Sequence, residues 1–218
     1  MANDLALITL QEPLSPQSEA YRTLRINLQY ASLDEALDTL LVTSVGPDEG
    51  KTTSLANLAV TLAQAEQRVI VVDCDLRRPQ VHQLFSLPND RGLTTAILDE
   101  QALQAPSLQH TGIENLRVLT SGPLPQRPAD LLGSRRMATL IETLKEQADM
   151  VLFDAPPVMS ATDAAMLATQ VDAVLLVVSA GQTRREDSLL AIERLQKVKA
   201  RIIGALLQNA PAIKASGY

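Results

Sequence analysis

An α/β fold with a doubly wound, mostly parallel sheet is predicted by three observations. Short β-branched runs alternate with longer segments of helical periodicity along the 218 residues. Most of the runs are apolar without polar alternation, as strands covered by helices on both faces must be. Aromatic residues make up only 2% of the chain, so the core has to be built from Leu, Val, Ile and Ala, the palette of parallel strands under helices rather than of sandwiches.

The strands are expected at Leu40–Ser44, Val69–Asp73, Leu116–Thr120, Met150–Asp154, Ala173–Ser179 and Ile202–Leu207. Helical periodicity falls near Thr52–Gln64, Arg136–Glu146, Thr162–Ala168 and Arg184–Lys197, with a polar helix near Ser18–Tyr30 ahead of the first strand. Residues 100–135, rich in Pro and Gly, read as loops over the carboxyl edge of the sheet, where a lid or docking surface belongs. No repeat or low-complexity linker divides the chain, so residues 1–218 are expected to form one domain. In such a fold ligands sit beyond the carboxyl ends of the strands.

Composition removes several function classes. Hydrophobic residues at 46% and charged residues at 20% exclude a disordered chain. The formal charge of −6 and the lack of any Lys/Arg run argue against a nucleic-acid-binding face. Cys74 is the single cysteine, so no internal disulfide forms, which suits a reducing cytoplasm. No apolar stretch approaches the roughly eighteen residues of a membrane span, and Met1–Asp4 does not open a signal peptide. Membrane contact would therefore come through a partner or a segment outside this chain, not by direct insertion.

The chemistry concentrates at three strand ends. Leu40–Val42 runs into Thr43-Ser44-Val45-Gly46-Pro47-Asp48-Glu49-Gly50-Lys51-Thr52-Thr53 and then into a helix, the order of a phosphate-binding P-loop. Backbone N–H groups and the helix N-terminus would face phosphate, and Gly50 lets the backbone come close. Lys51 would bridge the β- and γ-phosphates, and the Thr52 hydroxyl would ligate Mg²⁺. Val45 stands where the general pattern has Gly. Val69–Val72 ends in Asp73-Cys74-Asp75-Leu76-Arg77-Arg78-Pro79, and Met150–Phe153 ends in Asp154-Ala155-Pro156-Pro157. An Asp at one strand end is commonly a turn residue; three acids at two strand ends beside a P-loop point to a nucleotide site.

With these motifs in order, the chain resembles the bacterial tyrosine kinases (BY-kinases) of capsule and exopolysaccharide synthesis over nearly its whole length. Pro47 with Glu49-Gly50-Lys51 is similar to that family's P-loop, Asp73 through Pro79 to its additional acidic motif, and Phe153-Asp154-Ala155-Pro156-Pro157-Val158 with Asp163 to its Walker B segment. Gly122-Pro123-Leu124-Pro125 through Pro128-Ala129-Asp130-Leu131-Leu132 resembles its Pro-rich loop, and Glu19, Arg22 and Arg25 its N-terminal Glu-x-x-Arg-x-x-Arg helix. The dimerising positioning ATPases carry a second lysine where this chain has Gly46.

The resemblance implies an ATP-dependent protein-tyrosine kinase with Mg²⁺ as cofactor. Asp154 and Asp75 would hold the metal, Asp73 would accept the proton of the incoming tyrosine hydroxyl, and Gly46 through Thr53 would cradle the phosphates. It also implies a homo-oligomer, such as a ring, built through Glu19, Arg22 and Arg25. The activator would be a membrane-embedded polysaccharide chain-length regulator, separate or fused, which places the chain in the cytoplasm at the inner face of the plasma membrane. Gln208, with Asn209 beside it, occupies the register where relatives present an amide to the base.

Relatives end in a tyrosine-rich tail, whereas this chain has Tyr21, Tyr30 and Tyr218. Tyr21 and Tyr30 read as packing residues, leaving Tyr218 as the candidate phospho-acceptor. The sparse tyrosines keep open an alternative, an ATP-switched scaffold that assembles without phosphorylating tyrosine. His82 and His110 lack metal-ligand spacing and read as surface residues, while Arg77 and Arg78 could touch phosphate, a neighbouring subunit or surface acids.

Overall fold

The computed structural model describes residues 7–31 and 36–210. The chain opens with helices α1 (Ile8–Gln11) and α2 (Pro16–Ala31), strand β1 (Thr39–Ser44), helix α3 (Lys51–Ala63) and strand β2 (Val69–Asp73). Four short elements follow, α4 (Val81–Leu84), α5 (Leu93–Leu98), α6 (Glu100–Gln104) and β3 (Gln109–His110), before β4 (Leu116–Leu119). Helices α7 (Pro128–Leu132) and α8 (Arg135–Lys145) lead to β5 (Met150–Asp154), α9 (Asp163–Ala168), β6 (Ala173–Ser179), α10 (Arg185–Lys197) and β7 (Ile202–Gln208).

The described strands form one sheet in the order β3-β4-β2-β5-β1-β6-β7. All pairs are parallel except β3 against β4. Along β2 the side chains alternate between two buried clusters: Ile70 and Val72 join one, Val69 and Val71 the other. The first cluster lies under α5 to α10 and includes Leu140, Leu144, Leu167 and Leu195; the second lies under α1 to α4 and includes Leu28, Leu55 and Leu58. This double burial is why the strands read as apolar runs without alternation.

Local chemistry sets the helix starts. Pro16 pre-forms the first turn of α2, and Ser15 Oγ accepts the Ser18 N–H at 3.2 Å. Ser134 caps α8 by accepting the Met137 N–H at 3.1 Å. Ser18 is fully buried and its hydroxyl donates to the carbonyls of Glu12 and Ile8, fastening α2 to α1.

Residues 100–135 hold the expected strand as β4, but they correct the expectation of loops around it, because α6, β3 and α7 also fall within them. Each of these three is only two to five residues long, too short to show a helical or strand period against the Pro and Gly around it. The Gly122 turn is anchored from below: Asn89 Oδ1 accepts its N–H at 2.8 Å, and the Leu93 N–H donates to the Thr120 carbonyl at 2.7 Å. Gly92 sits in this junction, and a Cβ there would stand 2.0 Å from the Thr120 carbonyl oxygen and 2.5 Å from the Gly122 nitrogen. Both obstacles are backbone, so Gly92→Ala is expected to destabilise the protein by about 3 kcal/mol, read as a drop in melting temperature. A melting temperature within a degree of wild type would mean that the junction yields freely.

Candidate nucleotide-binding site

Strands β1, β2 and β5 are neighbours in the sheet and end together, and their terminal residues and following loops converge on one cleft. Asp73 and Asp154 are register partners at the ends of β2 and β5. The loop from Val45 to Gly50 leaves β1 and enters α3 through Gly50, whose φ of 80° lies in the left-handed region that favours glycine. The cleft is lined by Pro47, Asp48, Glu49, Gly50, Lys51, Thr52, Thr53, Asp75, Arg78, Gln80 and Pro157.

The loop is laced from within. Glu49 is buried, and its carboxylate accepts the N–H groups of Val45 (2.9 Å) and Gly46 (3.0 Å) and the hydroxyl of Thr183 (2.5 Å). The Gln182 amide donates to the Pro47 carbonyl at 3.2 Å, and the Ser44 hydroxyl to the Gly46 carbonyl at 2.7 Å. Glu49 therefore shapes the loop from within through its side chain.

Lys51 joins the three motifs. Its ammonium stands 3.0 Å from Asp75 Oδ2, 3.1 Å from Asp154 Oδ2 and 3.2 Å from Thr52 Oγ1. Thr52 in turn donates its hydroxyl to Asp154 Oδ2 at 2.7 Å. Burial works to lower the Lys51 pKa, but Asp154 and Asp75 outweigh it and hold the ammonium above its usual value. Asp154 is held above the usual carboxylate range, because loss of water outweighs the pull of Lys51.

Asp73 is fully buried and does not contact Lys51; its carboxylate accepts the N–H of Val81 at 3.0 Å and of Asp75 at 3.2 Å. Burial first, and then the charge of Asp154, pushes its pKa up to about 8. The thiol of Cys74 between the acids is pushed up by burial and by Asp73, in keeping with a buried, unreactive residue. Asp75 Oδ1 accepts the N–H groups of Arg77 (3.3 Å) and Arg78 (3.0 Å), turning the chain so that Arg78 reaches the cleft rim. Arg77 instead makes a two-pronged pair with buried Asp163, at 2.8 and 3.0 Å.

Other residues singled out in the sequence lie elsewhere. Gln208 and Asn209 do not line the cleft; the Gln208 amide donates to Ser54 and Tyr21, and the Asn209 amide to Ser179 Oγ. Glu19 and Arg22 pair on α2, where Arg22 also donates to the Pro13 carbonyl. Arg25 stands half-buried on the same helix. Tyr21 is buried as expected, whereas Tyr30, expected to pack, is 69% exposed because it faces solvent at the last turn of α2. Tyr218 lies outside the described residues. Sequence reasoning missed Gln182, Thr183 and Gln80, and no spacing could have found them, because only the tertiary fold brings them to the loop.

A strand, a left-handed glycine entering a helix, and a lysine and threonine facing acids from two adjacent strands define a P-loop nucleotide-binding protein. A family profile described as "AAA domain" matches residues 47–206. The chain is 42% identical over 216 residues to the tyrosine-protein kinase YwqD of Bacillus subtilis (strain 168), covering 97% of this chain and 89% of that one. It is 35% identical over 207 residues to the putative tyrosine-protein kinase CapB of Staphylococcus aureus, covering 95% and 90%. The solved kinase domain of the Escherichia coli tyrosine kinase ETK superposes with a TM-score of 0.87 at 33% identity, covering 97% of this chain and 84% of that one. The chain belongs to the bacterial tyrosine-protein kinases, within the P-loop NTPase fold.

Proposed function

We propose that the chain transfers the γ-phosphoryl group of ATP to a tyrosine hydroxyl, with Lys51, Thr52, Asp75, Asp154 and Asp73 as its working residues. The observation that carries this reading is the convergence of Asp75, Asp154 and Thr52 on the Lys51 ammonium. That ammonium marks a point where a cation is held by hard oxygen donors alone, the donor set that suits Mg²⁺. Among the described residues no group of three or more His, Cys, Asp or Glu side chains could hold a metal ion. Thr52, Asp75 and Asp154 would hold the metal together with the phosphates of a bound nucleotide. Mg²⁺ there would supply neutralisation of the charge on the β- and γ-phosphates.

The chain's own groups do the rest. N–H groups from Asp48 to Thr53 cradle the phosphates, since Pro47 has none and that of Gly46 is held by Glu49, and Lys51 turns from its acids toward the β- and γ-oxygens. The tyrosine oxygen attacks the γ-phosphorus, the bond from that phosphorus to the β–γ bridging oxygen breaks, and ADP leaves. The phenolic proton passes to ionised Asp73, whose elevated pKa narrows the gap to the phenol, near 10. Because the free enzyme must ionise Asp73 first, kcat/KM for tyrosine phosphorylation is expected to rise with pH from 6, reach half its plateau near 8 and level off about one unit higher. Asp73→Asn should lose that rise and about 10²-fold in rate while keeping nucleotide affinity. Asp75→Asn should weaken Mg²⁺-nucleotide binding instead. Equal kinase loss at equal nucleotide affinity in both variants would sink the assignment of the base to Asp73.

The wider setting follows from the family. We place the chain in regulation of capsular or exopolysaccharide synthesis and export, as a homo-oligomer in contact through Glu19, Arg22 and Arg25. A membrane-embedded chain-length regulator would activate it at the cytoplasmic face. Among the described residues no helix is long and apolar enough to cross a membrane. Tyr218 is the proposed acceptor, and Asn209, which directly follows β7, is the proposed amide for the base, since the Gln208 donors are committed to Ser54 and Tyr21.

A further inference from the structure

We infer that Tyr21, on the N-terminal helix α2, is a positioning residue for the nucleotide loop and acts through Gln208 and Ser54; this rests on the nucleotide site proposed above. The sequence offers no reason to connect Tyr21 with Gln208, which stand 187 positions apart. In the fold, the Gln208 amide donates both to the Tyr21 hydroxyl oxygen at 2.9 Å and to Ser54 Oγ at 2.5 Å. The Ser54 hydroxyl donates to the Gly50 carbonyl at 2.7 Å, and the Ser54 N–H donates to the same carbonyl at 2.9 Å. Tyr21 is 8% exposed and Ser54 1%, so bulk water does not readily replace either partner.

The end of this relay sits at the phosphate cradle. In a trans peptide the C=O of one residue and the N–H of the next point in opposite directions within one plane. Holding the Gly50 carbonyl down the helix therefore aims the Lys51 N–H out of the helix N-terminus into the cleft. Gly50 is the left-handed pivot of the loop, and Gln208 lies on its Cβ side, with Cγ 3.6 Å from where a Cβ on Gly50 would stand. A second relay runs alongside: the Thr9 N–H and hydroxyl donate to Asn57 Oδ1 at 3.1 and 2.9 Å, and Asn57 donates to the Thr53 carbonyl at 2.9 Å. Both carbonyls belong to the turn on which the phosphates would rest, and both are held from the α1–α2 segment. Gln208 is thereby a loop-positioning amide whose donors are already committed, and α2 and the nucleotide stabilise each other's docking by the same factor.

The test is Mg²⁺-dependent binding of a fluorescent ADP analogue to the full chain, in a double-mutant cycle of Tyr21→Phe and Gln208→Met with Lys51→Met as the control. Tyr21→Phe keeps the ring and removes only the acceptor oxygen. It is expected to weaken binding by about three- to tenfold, and the double variant should bind no more weakly than Gln208→Met alone. A purely structural Tyr21 would lower the melting temperature and leave nucleotide affinity at the wild-type value; that result, or additive losses in the double variant, would overturn the inference. Wild-type binding as weak as that of Lys51→Met would instead overturn the nucleotide site on which it rests.

Discussion

Asp154→Asn is expected to abolish phosphoryl transfer and, in nucleotide-free protein, to raise the melting temperature. The two effects have one cause. Asp154 is fully buried and its carboxyl is held above its ordinary range, so its ionised form is less favourable in the fold than in the unfolded chain. Such a group lowers stability as pH rises from the unfolded carboxylate pKa toward its folded one, since the native state then binds more protons than the unfolded state. Asn keeps an oxygen that can accept the Thr52 hydroxyl and removes the charge, so a gain of about 1 kcal/mol is expected at pH 8 and less at pH 6. Activity should fall by at least about 10²-fold, because a neutral amide is a far weaker Mg²⁺ ligand than a carboxylate. Thermal melts at both pH values, beside an assay of kinase activity, check both halves. A destabilised variant would show that Asp154 is held mainly by its attraction to Lys51.

Lys51→Met is expected to act in the opposite sense on stability and in the same sense on activity. The ammonium is the cation within 3.0–3.2 Å of the oxygens of Asp75, Asp154 and Thr52. Without it, buried acids face one another at the ends of β2 and β5. Breaking a buried pair on one side costs about 3 kcal/mol when the remaining charge cannot leave. Here the acids can take up protons, so the loss should be smaller at pH 6 and grow toward pH 8. The double variant Lys51→Met with Asp154→Asn should recover much of that stability and none of the activity. Phosphotyrosine formation in Lys51→Met should drop by about 10³-fold, the scale of losing a preorganised charge at a phosphoryl transition state. A pH-independent loss of stability would show that packing, rather than charge, is what Lys51 supplies.

The pattern of strengths in the sequence reading has a physical basis. The long strands were legible because both faces are buried, so Val69–Asp73 and Ala173–Ser179 read as unbroken apolar runs. The cleft was legible because Gly50-Lys51-Thr52 and the terminal acids of two strands are each fixed by position in their own element. Helices α4 to α7 were not, since each has only four to six residues and Pro79, Pro88, Gly92, Pro106 or Pro125 interrupts the pattern close by. Tyr30 was misjudged because an aromatic residue on an amphipathic helix carries no mark of which turn runs beyond its neighbours. Glu49 shows a different limit: its place in the motif predicts proximity to phosphate, while its carboxylate turns inward to the Val45 and Gly46 amides.

The most direct test of the account is to incubate the full chain with Mg²⁺ and ATP, alone and with a tyrosine-rich acceptor, beside Lys51→Met and Asp73→Asn. Phosphotyrosine and ADP are read from the same samples, with and without a peptide from the cytoplasmic segment of a chain-length regulator. The account expects phosphotyrosine in the wild type and its loss in both variants, with ADP-analogue binding retained in Asp73→Asn. ADP without phosphotyrosine in every wild-type sample would contradict it and leave the same cleft serving an ATP-switched scaffold.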